Sequence, residues 1–195
     1  FLKFYKSVRS KGIKPIAGAE INHVRDSSSH NEHANLTLIA KNQLGYKNLI
    51  KLISKSQIVG KTSGIPVIET EWLAEHSDGL IALSGGFRGH IGKAVLDTNH
   101  DLFLKRIKYF QKIFKEDFIL EISRINRPQE DIYNDYILSK AGELGLPVVA
   151  SNEVRFIDKE DYEAHETRVC IQKGEVLSDA RRTRSYFEDQ YFLSP

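Results

Sequence analysis

Leu146-Pro147-Val148-Val149-Ala150-Ser151-Asn152-Glu153-Val154-Arg155-Phe156 decides the fold class of this chain. A short apolar, β-branched run stops abruptly at Ser-Asn-Glu-x-Arg. A new helical pattern opens at Asp158 and carries His165. In an α/β protein, such a junction is where a buried parallel strand delivers polar side chains to the rim of a sheet or barrel. Glu153, Arg155 and their neighbours are therefore the first candidates for a working site, or for the remnant of one.

Toward the N-terminus, Phe118 to Ile122 reads as a strand, and Pro128 to Leu144 as a helix with proline near its start. Gly79 to Ser84 is a further buried strand, broken by Gly85-Gly86 and followed by helices over 91–96 and 101–114. Asn35 to Ala40 predicts a strand, and Gln43 to Gln57 a helix striped by Leu44, Leu49, Leu52 and Ile53. Residues 2–11 predict a helix stopped by Gly12, and 13–21 a strand ending in or near Glu20. Arg25 to His33 is a polar, surface loop. A Gly/Ser/Thr loop over 60–64 leads to a short helix, Glu69 to His76, with the only tryptophan, Trp72. Beyond the opening stretch, a helix over 158–172 ends at Gly174, and Arg181, Arg182 and Arg184 make an exposed basic loop. Five strands alternating with helices predict an α/β fold with a mainly parallel sheet. A closed or distorted barrel is favoured over an open dinucleotide-binding sheet, because no Gly-rich phosphate loop follows a strand.

The bulk properties fit one globular domain. The chain has 195 residues, 41% hydrophobic and 28% charged, with a formal net charge of +2. So small a charge gives no case for nucleic-acid binding by the whole surface. A single cysteine, Cys170, excludes a disulfide framework and fits a reducing cytoplasm. No apolar run is long enough to span a bilayer, so no membrane partner is expected. The chain opens at Phe1 and contains no methionine, which reads as a piece of a longer polypeptide.

The strand ends supply Glu20, Asn35, Ser84, Glu121 and Asn152-Glu153-x-Arg155. On a barrel these converge at the carboxyl-end face, where catalytic groups sit; taken singly, each can equally cap the helix that follows it. Of seven histidines, His23, His30 and His33 lie in or beside the polar loop, and His76, His90 and His100 at helix ends or turns. Only His165 lies close in sequence to Glu153, and no His-x-His pair exists, so a metal site finds little support. Cys170 on the apolar side of its helix reads as a buried, inert thiol. Ser84 before Gly85-Gly86 is not a nucleophile elbow. Arg181, Arg182 and Arg184 either contact phosphate or form a solvated charged loop.

Several stretches in order resemble the PHP (polymerase and histidinol phosphatase) domain of bacterial replicative DNA polymerase III alpha subunits. They are 12–20, 36–42 with Gly45-Tyr46-Lys47-Asn48-Leu49, 79–86, 146–156, and 164–166 through Cys170-Ile171. The resemblance implies a distorted (β/α)7 barrel over residues 1–195 as a single domain. In that family two strands precede the helix that Phe1 to Tyr5 matches, one bearing a His-x-His motif and one an acidic motif. The barrel is therefore expected to lack its first strands, and polymerase domains are expected after Pro195.

Active members of this family bind up to three metal ions at the barrel mouth and hydrolyse phosphoesters. Here Glu20 keeps a carboxylate, but Asn35 stands for a histidine, Gly86 falls at a Ser-x-Cys position, and Ser123-Arg124-Ile125 replaces another histidine. Asn-Asp-x-His has become Asn152-Glu153-Val154-Arg155. Arg155 brings positive charge to a cation site and is expected to pair with Glu153 or Glu20. The resemblance implies a catalytically silent, cytoplasmic domain with no catalytic or cofactor-binding residue and a degenerate metal site, with His165 as a possible neighbour. It would scaffold the polymerase and dock the proofreading exonuclease subunit, meeting DNA and Mg only through the parent polymerase. The alternative is an active Zn- or Mn-dependent phosphoesterase, a pyrophosphatase or a 3′–5′ exonuclease, recruiting Glu20, Glu153, His33 or His165.

Overall fold

The computed structural model describes residues 2–24, 33–62 and 64–193, so most of the predicted polar loop, His30 included, lies outside the described residues. The chain divides into two compact units, 1–120 and 121–195.

In the first unit the elements are α1 (Leu2–Ser10), β1 (Gly18–Val24), β2 (His33–Ala40), α2 (Gln43–Ile58), β3 (Lys61–Thr62), β4 (Ile65–Pro66), β5 (Ile68–Glu69), α3 (Thr70–Glu75), β6 (Leu80–Leu83), α4 (His90–Leu96), α5 (His100–Phe114) and the start of β7 (Phe118–Ile122). Its main sheet has the order β5-β1-β2-β6-β7. β1 pairs parallel with β5, and β6 with β7, as a parallel α/β sheet requires. β2, however, runs antiparallel to both of its neighbours, β1 and β6. The expectation of a mainly parallel sheet fails there for a simple reason. A parallel return needs a crossover of about a dozen residues or more, and only eight separate Val24 from His33.

The pleat sorts the side chains of these strands. Ile21 and His23 on β1, with Ala34, Leu36 and Leu38 on β2, are buried. Glu20, Asn22, Asn35 and Thr37 lie on the other, half-exposed face, because successive residues point to opposite sides. α5 covers the core with Phe103, Ile107, Phe110 and Phe114 at helical spacing, and the Phe110 ring stacks on Phe118 of β7 at 5.2 Å. Burying each such ring contributes about 1.5–3 kcal/mol. α2 starts at an Asn42 N-cap whose side chain accepts from the Gly45 N–H at 3.0 Å. Gly45 lies so close to the turn before β6 that an added Cβ would sit 1.8 Å from the Gly79 carbonyl oxygen. Asn48 donates to the Asp78 carbonyl at 2.9 Å. These contacts give the Gly45-Tyr46-Lys47-Asn48-Leu49 motif its physical content.

The first predicted strand is displaced: residues 13–17 are irregular, and Glu20 sits inside β1 instead of ending a strand. The predicted loop over 60–64 contributes to a two-strand hairpin, β3 with β4.

The second unit holds the end of β7, α6 (Glu130–Leu144), β8 (Val148–Ala150) and α7 (Tyr162–Lys173). The Ser151 N–H donates to the Ile122 carbonyl at 2.9 Å. α6 begins two residues later than predicted, because the preceding residues are wound around a buried carboxylate. Glu130 accepts from Ser123 Oγ (2.9 Å), the Ile125 N–H (2.8 Å) and the Arg127 N–H (3.4 Å), with Gln129 in the left-handed region at φ 65°. Both α6 and α7 stop at glycines in that same region, Gly145 and Gly174. Among the described residues no helix is long and apolar enough to cross a membrane.

Candidate functional site

In the first unit, Glu20 and Asn35 meet on the half-exposed face of the β1–β2 ladder. The register sets Glu20 opposite Thr37 and Asn22 opposite Asn35, so Glu20 and Asn35 are diagonal neighbours. The Asn35 side-chain amide donates to the Glu20 carboxylate. Gly85, at φ 77°, lies against the Asn35 backbone: a Cβ there would be 2.0 Å from its carbonyl oxygen. Asn35 also forms a parallel bridge with Gly89, so the loop containing Gly86 is stitched directly to Asn35. Three predicted positions, Glu20, Asn35 and Gly86, are thus gathered by one strand pair and one glycine loop. Ser84 is buried, its N–H donating to the Ile119 carbonyl at 3.0 Å. A groove of about 970 Å³ elsewhere in this unit is walled by Leu2, Tyr5, Ile16, Ile39, Tyr46 and Ile81 and gathers no cluster of acids or histidines.

In the second unit, Glu153 is paired, but not with Arg155. Its carboxylate accepts from Arg127 at 2.7 Å, and the Arg127 side chain is only 7% exposed. The Arg155 guanidinium instead lies over the Tyr186 ring, 5.7 Å from its centroid. The expected Arg155–Glu153 pair is therefore replaced by Arg127–Glu153. The swap follows from the backbone. Residues 151–156 run beside 190–192: the Arg155 N–H donates to the Gln190 carbonyl (2.7 Å), Gln190 Nε2 to the Glu153 carbonyl (3.0 Å), and Asn152 Nδ2 to the Tyr191 carbonyl (2.7 Å). Glu153 and Arg155 are engaged separately, and the loop wound on Glu130 supplies the cation. Glu121 lends its backbone carbonyl to Tyr133 Oη at 2.8 Å.

His165 does lie in α7, packed edge-on to Tyr186 with ring centroids 4.6 Å apart and tilted against Phe156 at 5.5 Å. Burial pushes its imidazole below the ordinary value, Arg168 lowers it further, and Glu166 opposes the shift. Glu166 is bound by Arg182, whose side chain is 4% exposed. The expected exposed loop of three arginines is corrected at Arg182 alone, Arg181 and Arg184 being exposed. Arg182 is buried against a carboxylate, Arg181 is clamped on both nitrogens by Asp179 at 3.0 and 2.9 Å, and Arg184 stays exposed. Cys170 is buried, as its position on α7 predicts.

Sequence reasoning passed over Arg127, Glu130 and Gln190. Each acts through a distant or loop-bound partner, and only the acid at Glu130, beside a Pro-Gln turn, hinted at a cap. It also placed His23 in or beside a polar loop, whereas His23 is fully buried in β1 and bonded to His90. Among the described residues no group of three His, Cys, Asp or Glu side chains is placed to hold a metal ion. Glu20 and Glu153, the two carboxylates at the predicted metal positions, bond to an amide and a guanidinium respectively.

Residues 1–125 match the PHP domain, and the chain belongs to that family, whose fold is a distorted, TIM-barrel-like α/β barrel. It is 44% identical over 193 residues to DNA polymerase III subunit alpha of Vibrio cholerae, covering 99% of this chain and 17% of that protein. The same subunit of Escherichia coli K12 is 42% identical over 193 residues, and that of Pseudomonas aeruginosa 40% over 194. The chain spans about a sixth of the length of the curated relatives it matches.

Proposed function

We propose that residues 1–195 are a single PHP-domain portion of a DNA polymerase III alpha subunit, a DNA-directed DNA polymerase of chromosomal replication working in the cytoplasm. The domain itself is catalytically silent. It scaffolds the polymerase, whose Mg-dependent chemistry and DNA contacts reside elsewhere in the protein, and it docks the proofreading exonuclease subunit. The observation that carries this reading is similarity along 99% of the chain to proteins of that one name. Its silence is supported by chemistry. Divalent cations need several anionic or imidazole ligands free to coordinate. Here Glu153 is ion-paired with Arg127, Glu20 accepts a hydrogen bond from the Asn35 amide, and Gly86 offers no side chain.

The test is calorimetric titration of the full protein with Zn and with Mn, beside a phosphoesterase assay. We expect no tight multi-site binding and no turnover. Tight binding, or turnover abolished by Glu20→Ala, would establish the alternative metal-dependent phosphoesterase. Docking is checked by co-elution with the purified proofreading exonuclease subunit, and its absence would remove that role.

A further inference from the structure

We infer that the outward face of α5 is a docking surface for the phosphate backbone of a nucleic acid. Phe103, Ile107, Phe110 and Phe114 are buried and fix the helix by its inner face. Lys105, Lys108 and Lys112 recur three and four residues apart on the opposite side, and all three are exposed. Lys115, also exposed, follows directly after the helix. Residues 102–115 hold five Lys or Arg and no Asp or Glu. The acid of α5, Asp101, lies in its first turn, Glu116 is exposed beyond its end, and Asp117 is held by Lys41 at 2.7 Å.

Helix stability does not account for this stripe. The helix dipole favours cations in the last turn, where only Lys112 lies. Lys108 and Lys112 are four residues apart, and like charges at that spacing destabilise a helix. An external anion relieves both. The chemistry of the face selects among anions. No large apolar side chain is exposed on α5. A protein interface is built around an apolar core and is depleted in lysine, and a helix lying on a membrane buries an apolar face. A phosphate backbone needs neither, only point charges. From Lys105 to Lys112 the helix rises about 10 Å, the axial length of about three phosphates on one DNA strand. Such contacts position a duplex without reading its bases. The surface adds a sequence-independent contact to the DNA contacts made elsewhere in the protein.

The test titrates the full protein, and a Lys105→Gln, Lys108→Gln, Lys112→Gln variant of it, with fluorescent duplex and single-stranded DNA at a series of salt concentrations. The three side chains are exposed, so the urea midpoint should not move. On duplex, the slope of log affinity against log salt should become shallower by about 2.7, or 0.9 for each lysine. Two unrelated sequences should show the same change, and replacing the three lysines by arginine should restore the original slope. Unchanged slopes on both duplex and single strand overturn the proposal. Lys11, Lys47 and Lys51, exposed on other parts of residues 1–120, serve as a control. Their replacement by glutamine should leave the slope in place, and an equal loss there would remove the assignment to α5. Polyglutamate distinguishes an acidic protein partner. If the α5 variant loses polyglutamate binding while its DNA slopes stay unchanged, the nucleic-acid reading is refuted.

Discussion

Arg127 and Glu153 meet at the end of β8 with side-chain exposures of 7% and 23%. Arg127→Met removes this buried cation from beside a mostly covered carboxylate, and we expect a loss of about 1–3 kcal/mol, read from urea unfolding. Adding Glu153→Gln should recover part of it, since the double variant removes both charges of the pair. His165 makes a second prediction at this scale. Its folded pKa lies below the ordinary 6.5, so the native protein favours the neutral ring. The stability this contributes is complete above the unfolded value of about 6.5 and is lost as pH falls toward the lowered folded value. His165→Gln should flatten the pH dependence of the unfolding midpoint in that window; an unchanged slope would contradict it. Glu153 was legible in the sequence as a rim residue because it ends an apolar run. Its partner was not, since Arg127 lies 26 positions away on a loop whose path is set by Glu130, and no local pattern encodes that path.

Elements carry two further predictions. Gly45 on α2 lies against the turn before β6, and Gly45→Ala brings a methyl group to 1.8 Å from a backbone oxygen that cannot yield cheaply. We expect about 3 kcal/mol of destabilisation, measurable as a lowered urea midpoint with an unchanged slope. Glu130→Gln keeps the shape of the side chain but presents a donor where backbone and hydroxyl donors converge. A cost of about 1–3 kcal/mol should appear, with faster hydrogen exchange at the Ile125 amide. Element type was largely readable. The predicted and observed bounds of β7 coincide, and those of α2 differ by a single residue at its C-terminus, because both show clean apolar periodicity. Strand direction was misread for β2, although the short link to β1 carried the information. β1 was misplaced because Ile13-Lys14-Pro15-Ile16 has the alternation of a strand, yet Ile13 and Ile16 are exposed and the segment is irregular.

Across the whole molecule, the net charge of +2 conceals a division. Residues 1–120 hold eighteen Lys and Arg against eleven Asp and Glu, a net of +7, and residues 121–195 hold ten against fifteen, a net of −5. The three arginines that invited a phosphate-binding reading lie in the acidic part, and two of them already face carboxylates. Substituting Arg181 and Arg184 together by alanine should therefore leave the salt dependence of DNA binding by the full protein unchanged. A slope reduced by one or two counterions would show that they touch phosphate. The β1–β2 ladder has a practical consequence of another kind. Its register closes with Val24 directly opposite His33, so the eight residues between them begin and end at one fixed gap. Doubling the length of such a link costs only about 0.6 kcal/mol. A reporter tag or a protease recognition sequence spliced there gives an internal handle that leaves both chain ends untouched.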